Sequence, residues 1–242
     1  MSARYCRASG VIEAAARLPA ALLLMLCLLP AVPWLLPAAR AGDGPQVRRL
    51  ADQALQAYGE SRFEQAASLY ARAARSGDVN AQYNAAAIRL RHQTRQPSAR
   101  QAFDWLRSSA RAGYPPAQYL LGTLLDYGQL LPQDKAAATG WYEKAARQGH
   151  VDAALAVATQ YYLGRGAPQD YAAAARWYER AADAGDVAAQ YMIASMYESG
   201  TGVKLDLDQA LHWYTAAARQ GDVAARGQAR ALTERIARER AS

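Results

Sequence analysis

Apolar positions along this chain fall into short stripes that come in pairs, each pair closed by glycine. Val151–Leu163 (VDAALAVATQYYL) predicts a first helix, ended by Gly164-Arg165-Gly166. Asp170 then stands where an N-cap belongs, and Tyr171–Ala184 predicts a second helix that stops at Gly185. Within it Ala174, Trp177, Tyr178, Ala181 and Ala182 repeat at spacings of three and four, one continuous apolar face. A large Trp set against small alanines reads as core, with the alanines letting neighbouring helices come close.

The same unit recurs. Gly77, Gly113, Gly149, Gly185 and Gly221 are 36 residues apart without insertion, and Trp105, Trp141, Trp177 and Trp213 keep the same beat. Two alanine columns run in phase with them: Ala81, Ala117, Ala153, Ala189 and Ala225, and Ala66, Ala102, Ala138, Ala174 and Ala210. Ser98, Asp134 and Asp206 share the capping column of Asp170. A fixed period of this length is the signature of a solenoid, in which each unit buries its face against the next. Ahead of the full periods stands a shorter hairpin, Val47–Tyr58 and Arg62–Arg75, joined only by Gly59-Glu60-Ser61. At the other end Val223–Arg240 keeps Ala225 but carries Arg226, Arg230, Arg235, Arg238 and Arg240, the polar outer face of a terminal unit.

The residues in these columns resemble the Sel-1-like repeat, a variant of the tetratricopeptide helical hairpin. They are Ala-Gln-Tyr at 81–83, 117–119 and 189–191, Leu121-Gly122, Tyr161, Tyr197, Gly164-x-Gly166, Gly200-x-Gly202-Val203, and the Trp-Tyr-Glu-(Lys/Arg)-Ala-Ala segments 141–146 and 177–182. The first period departs from the pattern, with His92 and Thr94 for the loop glycines and Ala85-Ala86 for the Leu-Gly pair. The resemblance implies an all-α, right-handed α-solenoid of about five hairpins plus a C-terminal capping helix. Residues 42–77 form a tetratricopeptide-like hairpin, 78–221 four repeats of 36 residues, and 222–242 the basic cap. Members of this family act as scaffolds and adaptors in signalling, envelope assembly, secretion and host interaction, so a protein or peptide partner is implied.

Residues 1–41 read as an address. Arg4, Arg7 and Arg17 precede an uncharged stretch from Leu18 to Ala39, and Ala39-Arg40-Ala41 supplies small residues at a cleavage site. These are the parts of a Sec-type signal peptide, and they predict a periplasmic or secreted protein. An uncleaved anchor is the competing reading, and it would give the protein its only membrane contact; Pro30, Pro33 and Pro37 weigh against a spanning helix. The residues before Cys27 lack the small residue of a lipoprotein signal, and no twin arginine precedes the apolar core.

Composition then narrows the chemistry. The 242 residues hold 28 Lys+Arg against 21 Asp+Glu, but residues 1–41 take four basic residues and one acid with them, leaving +4. That small excess, interleaved with acids, predicts no nucleic-acid partner. Both cysteines, Cys6 and Cys27, lie in the leader, so cysteine chemistry is excluded from the exported chain. His92, His150 and His212 fall in different columns with no metal spacing, and Asp206-x-Asp208 lacks the glycine-bearing loop of a calcium site. The glycine pairs follow helices rather than strands, and Ser199 sits in no nucleophile elbow. The sequence thus predicts no enzyme, no cofactor and no metal.

What remains is a binding face. On the first helices, residues three, seven, ten and eleven places apart differ from period to period, as a recognition surface differs from a core. In tetratricopeptide-like solenoids this stripe lines the concave groove. Its candidate ligand-binding residues are Tyr83, Arg91, Tyr119, Thr123, Asp126, Tyr127, Thr159, Tyr162, Tyr191, Ser195 and Glu198. Tyr83, Tyr119 and Tyr191 read equally well as half-buried packing residues. The leading function is a non-enzymatic envelope adaptor that holds a protein or peptide segment. A binder of cell-wall or exopolysaccharide, stacking sugars on Tyr and Trp, is the alternative. The Ala39-Arg40-Ala41 site predicts a mature chain beginning at Gly42, which the intact mass of the extracytoplasmic protein checks; a membrane-bound species that keeps residues 1–41 would show the anchor instead.

Overall fold

A computed structural model describes residues 44–95, 97–128 and 130–241, so the leader proposed for residues 1–41 lies outside the described residues. Among the described residues there are eleven helices and no strand. They are α1 (Pro45–Gly59), α2 (Phe63–Ala74), α3 (Val79–His92), α4 (Ala99–Arg111), α5 (Pro115–Tyr127), α6 (Lys135–Arg147), α7 (Val151–Leu163), α8 (Tyr171–Asp183), α9 (Val187–Ser199), α10 (Leu207–Arg219) and α11 (Val223–Ala241). The fold is an all-α solenoid: α1 packs on α2 and α2 on α3, and from α5 to α11 each helix packs on the next. The chain divides into two compact units, one ending at Ala102 and the other beginning at Phe103. None of the described helices is long and apolar enough to cross a membrane.

Helix ends follow the polar punctuation. Asp134, Asp170 and Asp206 each accept a bond from the backbone N–H three residues on, at 2.8–2.9 Å, and Ser98 does so at 3.3 Å. A second series caps the first helices: Asp78 at 2.6 Å, Asp186 at 2.7 Å and Asp222 at 2.7 Å. Such caps satisfy amides that the helix itself leaves open. Past the second helices, Gly185 takes a φ of 94° in open space, so backbone conformation alone calls for glycine there.

The loop glycines have a different reason. Gly166 and Gly202 also have positive φ, but a Cβ on either would collide with a backbone carbonyl, Lys135 O and Tyr171 O respectively. Each loop therefore lies directly on the start of the second helix one repeat back. In the first period, where His92 and Thr94 stand in for the glycines, α3 runs on through His92 and the left-handed residue is Gln93. Thr94 is buried, and His92 stacks on Phe63 with ring centroids 3.6 Å apart.

Both alanine columns are core, none of their ten members more than 2% exposed. The tryptophan column is not, and the core expectation fails for most of it. Trp213 is buried, but Trp105, Trp141 and Trp177 are only half-buried. The residue after each one fills the core instead: Leu106, Tyr142, Tyr178 and Tyr214, with Tyr70 in the same column. Adjacent helical positions lie about 100° apart, so only one of the pair can point at the neighbouring helix. Trp lies at the stripe's edge, where cations cover it. Lys144 Nζ sits 4.1 Å from the Trp141 ring centroid and the Arg180 guanidinium 5.6 Å from that of Trp177. The two classes of glycine give a test. Gly185→Ala should cost about 1 kcal/mol from backbone strain alone, whereas Gly202→Ala should cost at least about 2 kcal/mol because a collision adds to the strain. Urea midpoints of the two variants check the order.

Candidate functional site

In the second unit the candidate face is built over the buried tyrosines of the second helices. Their hydroxyls need partners when the rings are taken from water, and the first helices supply them. Tyr142 OH donates to Thr123 Oγ1 at 3.4 Å, Tyr178 OH lies 3.2 Å from Thr159 Oγ1, and Tyr214 OH donates to Glu198 Oε2 at 3.0 Å, with Ser195 also in reach. Thr123 and Thr159 donate in turn to the carbonyls of Tyr119 and Leu155 in their own helices. Burial pushes the Tyr178 phenol up to about 12 and raises those of Tyr142 and Tyr214 further, so all three remain neutral donors.

The aromatic candidates divide into two kinds. Tyr119 lies against Tyr142 at 5.7 Å and stacks on His150 at 4.7 Å, while Tyr191 meets Tyr214 edge-on at 5.3 Å. A Cβ at Gly122 would come within 2.8 Å of the Tyr142 ring, so glycine here makes room for the core tyrosine beside Tyr119. Tyr162 packs edge-on against Tyr171 at 5.2 Å and Tyr178 at 6.3 Å. These rings are half-buried and support the core as well as forming a face. Tyr127 differs: its ring is 51% exposed at the end of α5. In the first unit Tyr83 is half-buried, and Arg91 Nη1 donates to Tyr58 OH at 3.4 Å.

Next to Tyr127, the Asp126 carboxylate accepts from Gln160 Nε2 at 2.9 Å, linking α5 to α7, and Tyr142 reaches it too. Burial raises its pKa against these bonds and against the more distant charges of Lys135 and Arg165. Burial also raises Asp152, and raises Asp186 with the Asp152 charge adding to it.

Several residues that organise this unit are ones the sequence pattern did not mark as functional. Glu143 and Glu179 accept from Tyr161 and Tyr197 at 2.6 Å, each tying a first helix to the second helix before it. Gln118 donates to the Ala110 carbonyl at 3.1 Å and accepts from Gln148 at 2.8 Å; Gln190 does the same with Ala182 at 3.2 Å and Gln220 at 2.9 Å. The sequence did hold a signal for the glutamines, since both members of the intervening pair, Ala154 and Ala184, are alanine. Among the described residues no group of His, Cys, Asp and Glu could hold a metal ion.

The Sel1 repeat family model matches residues 48–78, 79–114, 115–150, 151–186 and 187–222. It takes in the short first hairpin, which by its loop looks more like an ordinary tetratricopeptide repeat, and so counts five repeats rather than four. Among solved structures, a protective antigen of uropathogenic Escherichia coli strains displaying an SLR fold is 34% identical with a TM-score of 0.62, over 66% of this chain and 34% of its own. A Sel1 repeat protein from Oxalobacter formigenes is 32% identical with a TM-score of 0.65, over 70% of this chain and 49% of its own. The chain thus spans half or less of the length of these two relatives. No curated protein matches it significantly.

His150 occupies the aspartate position of the first-helix caps. Its Nδ1 accepts from the Ala153 N–H at 3.3 Å, its ring is 4% exposed, and burial lowers its pKa to about 4. Protonation would place a charge in the core and remove the acceptor. Since the unfolded imidazole binds its proton at higher pH, near 6.5, the stability is whole above that value and is lost as pH falls towards 4. The loss should be on the order of 3 kcal/mol. His150→Asn keeps a capping oxygen without a basic nitrogen. Denaturation of both proteins between pH 7 and 4 should show the parent losing stability relative to the variant across that window.

Proposed function

We propose, from the premise that this chain belongs to the Sel1 repeat family, that it is a non-enzymatic adaptor of the cell envelope holding an extended protein segment in a concave groove lined by its first helices. Sel1 repeat proteins are in general protein–protein interaction scaffolds, typically without catalysis, and the finer reading rests on one contrast. The column of Leu106, Tyr142, Tyr178 and Tyr214 stays large and buried, tyrosine in its last three members, while the first-helix column of Tyr127, Leu163 and Ser199 changes chemistry with every repeat. Buried positions hold the repeats together, and varied, solvent-reaching ones suit a partner whose side chains differ along its length.

Export is part of this reading and is supported by residues 1–41, which carry the parts of a Sec-type signal expected of a periplasmic or secreted protein. For polysaccharide binding no described residue speaks specifically. The rings of Trp141 and Trp177, which that reading would use to stack on sugars, already carry Lys144 and Arg180. Capture of envelope proteins, set beside pelleting with purified cell-wall polymer, separates the two: the adaptor reading expects a retained protein and no co-sedimentation. Tyr127 gives the cleanest variant, because half its surface is free and truncation leaves the core intact. Tyr127→Ala should weaken partner capture by about 2 kcal/mol with an unchanged melting temperature. Tyr119→Ala should lower stability as well, because its ring packs on Tyr142 and His150. A Tyr127→Ala protein that captures the partner as well as the parent would count against the groove.

A further inference from the structure

Charge is segregated in the second unit. Between them α5, α7 and α9 carry three charged residues, Asp126, Asp152 and Glu198, all acidic, in a chain whose basic residues outnumber its acids. Lysine and arginine there belong to the second helices, the loops and α11. We infer that the segment held by this face is cationic: an extended peptide of a partner protein whose Lys or Arg side chains meet Asp126 and Glu198 and lie along the neighbouring tyrosines. The inference deepens the adaptor reading above and rests on it.

Helix geometry makes the placement of two of these acids telling. Asp152 lies in the first turn of α7, where free N–H groups and the helix dipole favour a negative charge. Asp126 and Glu198 are the penultimate residues of α5 and α9, at the negative end of the dipole. Both are half-buried, yet among the described residues neither forms an ion pair, and the donors that reach them, Gln160 and Tyr142 for one and Tyr214 for the other, are uncharged. A carboxylate in that setting costs stability on its own account. Burial raises the Asp126 pKa even against the Gln160 and Tyr142 bonds and the more distant Lys135 and Arg165 charges, which offset the burial only in part. A cation supplied by a partner would relieve both the dipole and the burial.

The flanking groups suit the same ligand. Tyr127 follows Asp126 and is exposed, and in the repeat between them the column position of Asp126 and Glu198 is held by Tyr162. Carboxylate beside aromatic is a pairing that takes the charged head of Lys or Arg on one group and its stem or cation on the other. Charge of one sign on one face also speeds the encounter and rejects acidic partners.

Selection of randomised dodecapeptides on the full chain tests this. The expected pool is rich in Lys and Arg. Its best member should lose at least tenfold in affinity when its basic residues become Gln, and as much on the Asp126→Asn, Glu198→Gln protein. Those substitutions keep acceptors for Gln160 and Tyr214, so the fold should persist. The paired variant Asp183→Asn, Asp208→Asn, exposed on second helices, should bind like the parent. Peptides that lose affinity on Tyr127→Ala but show no basic bias, or are indifferent to Asp126→Asn and Glu198→Gln, would overturn the cationic partner and leave the groove reading standing. Peptides indifferent to every first-helix variant, or a selection that enriches nothing, would overturn both.

Discussion

Each repeat sets two wholly buried alanines where its helices touch, and most of the other features follow from that constraint. Small side chains let helices approach closely but bury little apolar surface apiece, roughly 0.8 kcal/mol per CH₂. The bulk of the core then falls to the larger residues, Ile88, Leu121, Leu124, Val157, Ile193 and Met196 on the first helices and, on the second helices, the column of Tyr70, Leu106, Tyr142, Tyr178 and Tyr214. Where that second-helix column holds tyrosine, its hydroxyl must find a partner. In the second unit it finds Thr123, Thr159, or Ser195 with Glu198 on the first helices. The hydroxyl-bearing positions of the candidate face are therefore partly an outcome of packing, and what distinguishes one repeat from another is the residues around them.

An alanine core also gives polar groups a structural share. The buried amides of Gln118 and Gln190 each close an open helix carbonyl on one side and accept from a neighbouring glutamine on the other. Half of such an arrangement would leave a polar atom stranded, at about 1–3 kcal/mol. In the repeat between them both members are absent together, as Ala154 and Ala184. Gln82 shows the other outcome: the residue thirty places on is Ala112, and the Gln82 Oε1 is buried with no hydrogen-bond partner among the described residues.

Period, helix limits and the second-helix caps were legible in the sequence because each depends on local chemistry, such as an aspartate at an N-terminus or a glycine beyond a C-terminus. The limits of α7 agree to the residue, and α8 stops one residue short of Ala184. The tryptophan column misled because Trp and Tyr stand side by side on a broad apolar stripe, and spacing alone does not say which faces inward. His150 was hidden for a similar reason. Set against metal-ligand spacing it looks idle, and only its place in the column of Asp78, Asp186 and Asp222 shows an acceptor capping a helix. The tyrosines of the candidate face were legible as first-helix positions in three columns, but their division into packing rings and an exposed one required tertiary contacts.

The carboxylates of the second unit can be sorted by what surrounds them. Asp134, Asp170, Asp186, Asp206 and Asp222 sit at helix N-termini, where amides and dipole both favour the charge. Glu143 holds Tyr161 and is paired with Arg147 one turn on, while Glu234 and Glu239 pair with Arg230 and Arg235 along an exposed helix. Asp126 and Glu198 lack a favourable dipole, and among the described residues neither is ion-paired, although the more distant charges of Lys135 and Arg165 act on Asp126. The Gln160 and Tyr214 bonds they accept anchor their geometry without neutralising their charge. A repeat protein of this kind can vary its first-helix positions with little cost to the alanine contacts beneath. The acids at the unfavourable ends of two helices, with no basic residue on α5, α7 or α9, thus hold Gln160 and Tyr214 within the fold and are also the feature from which the cationic partner is proposed.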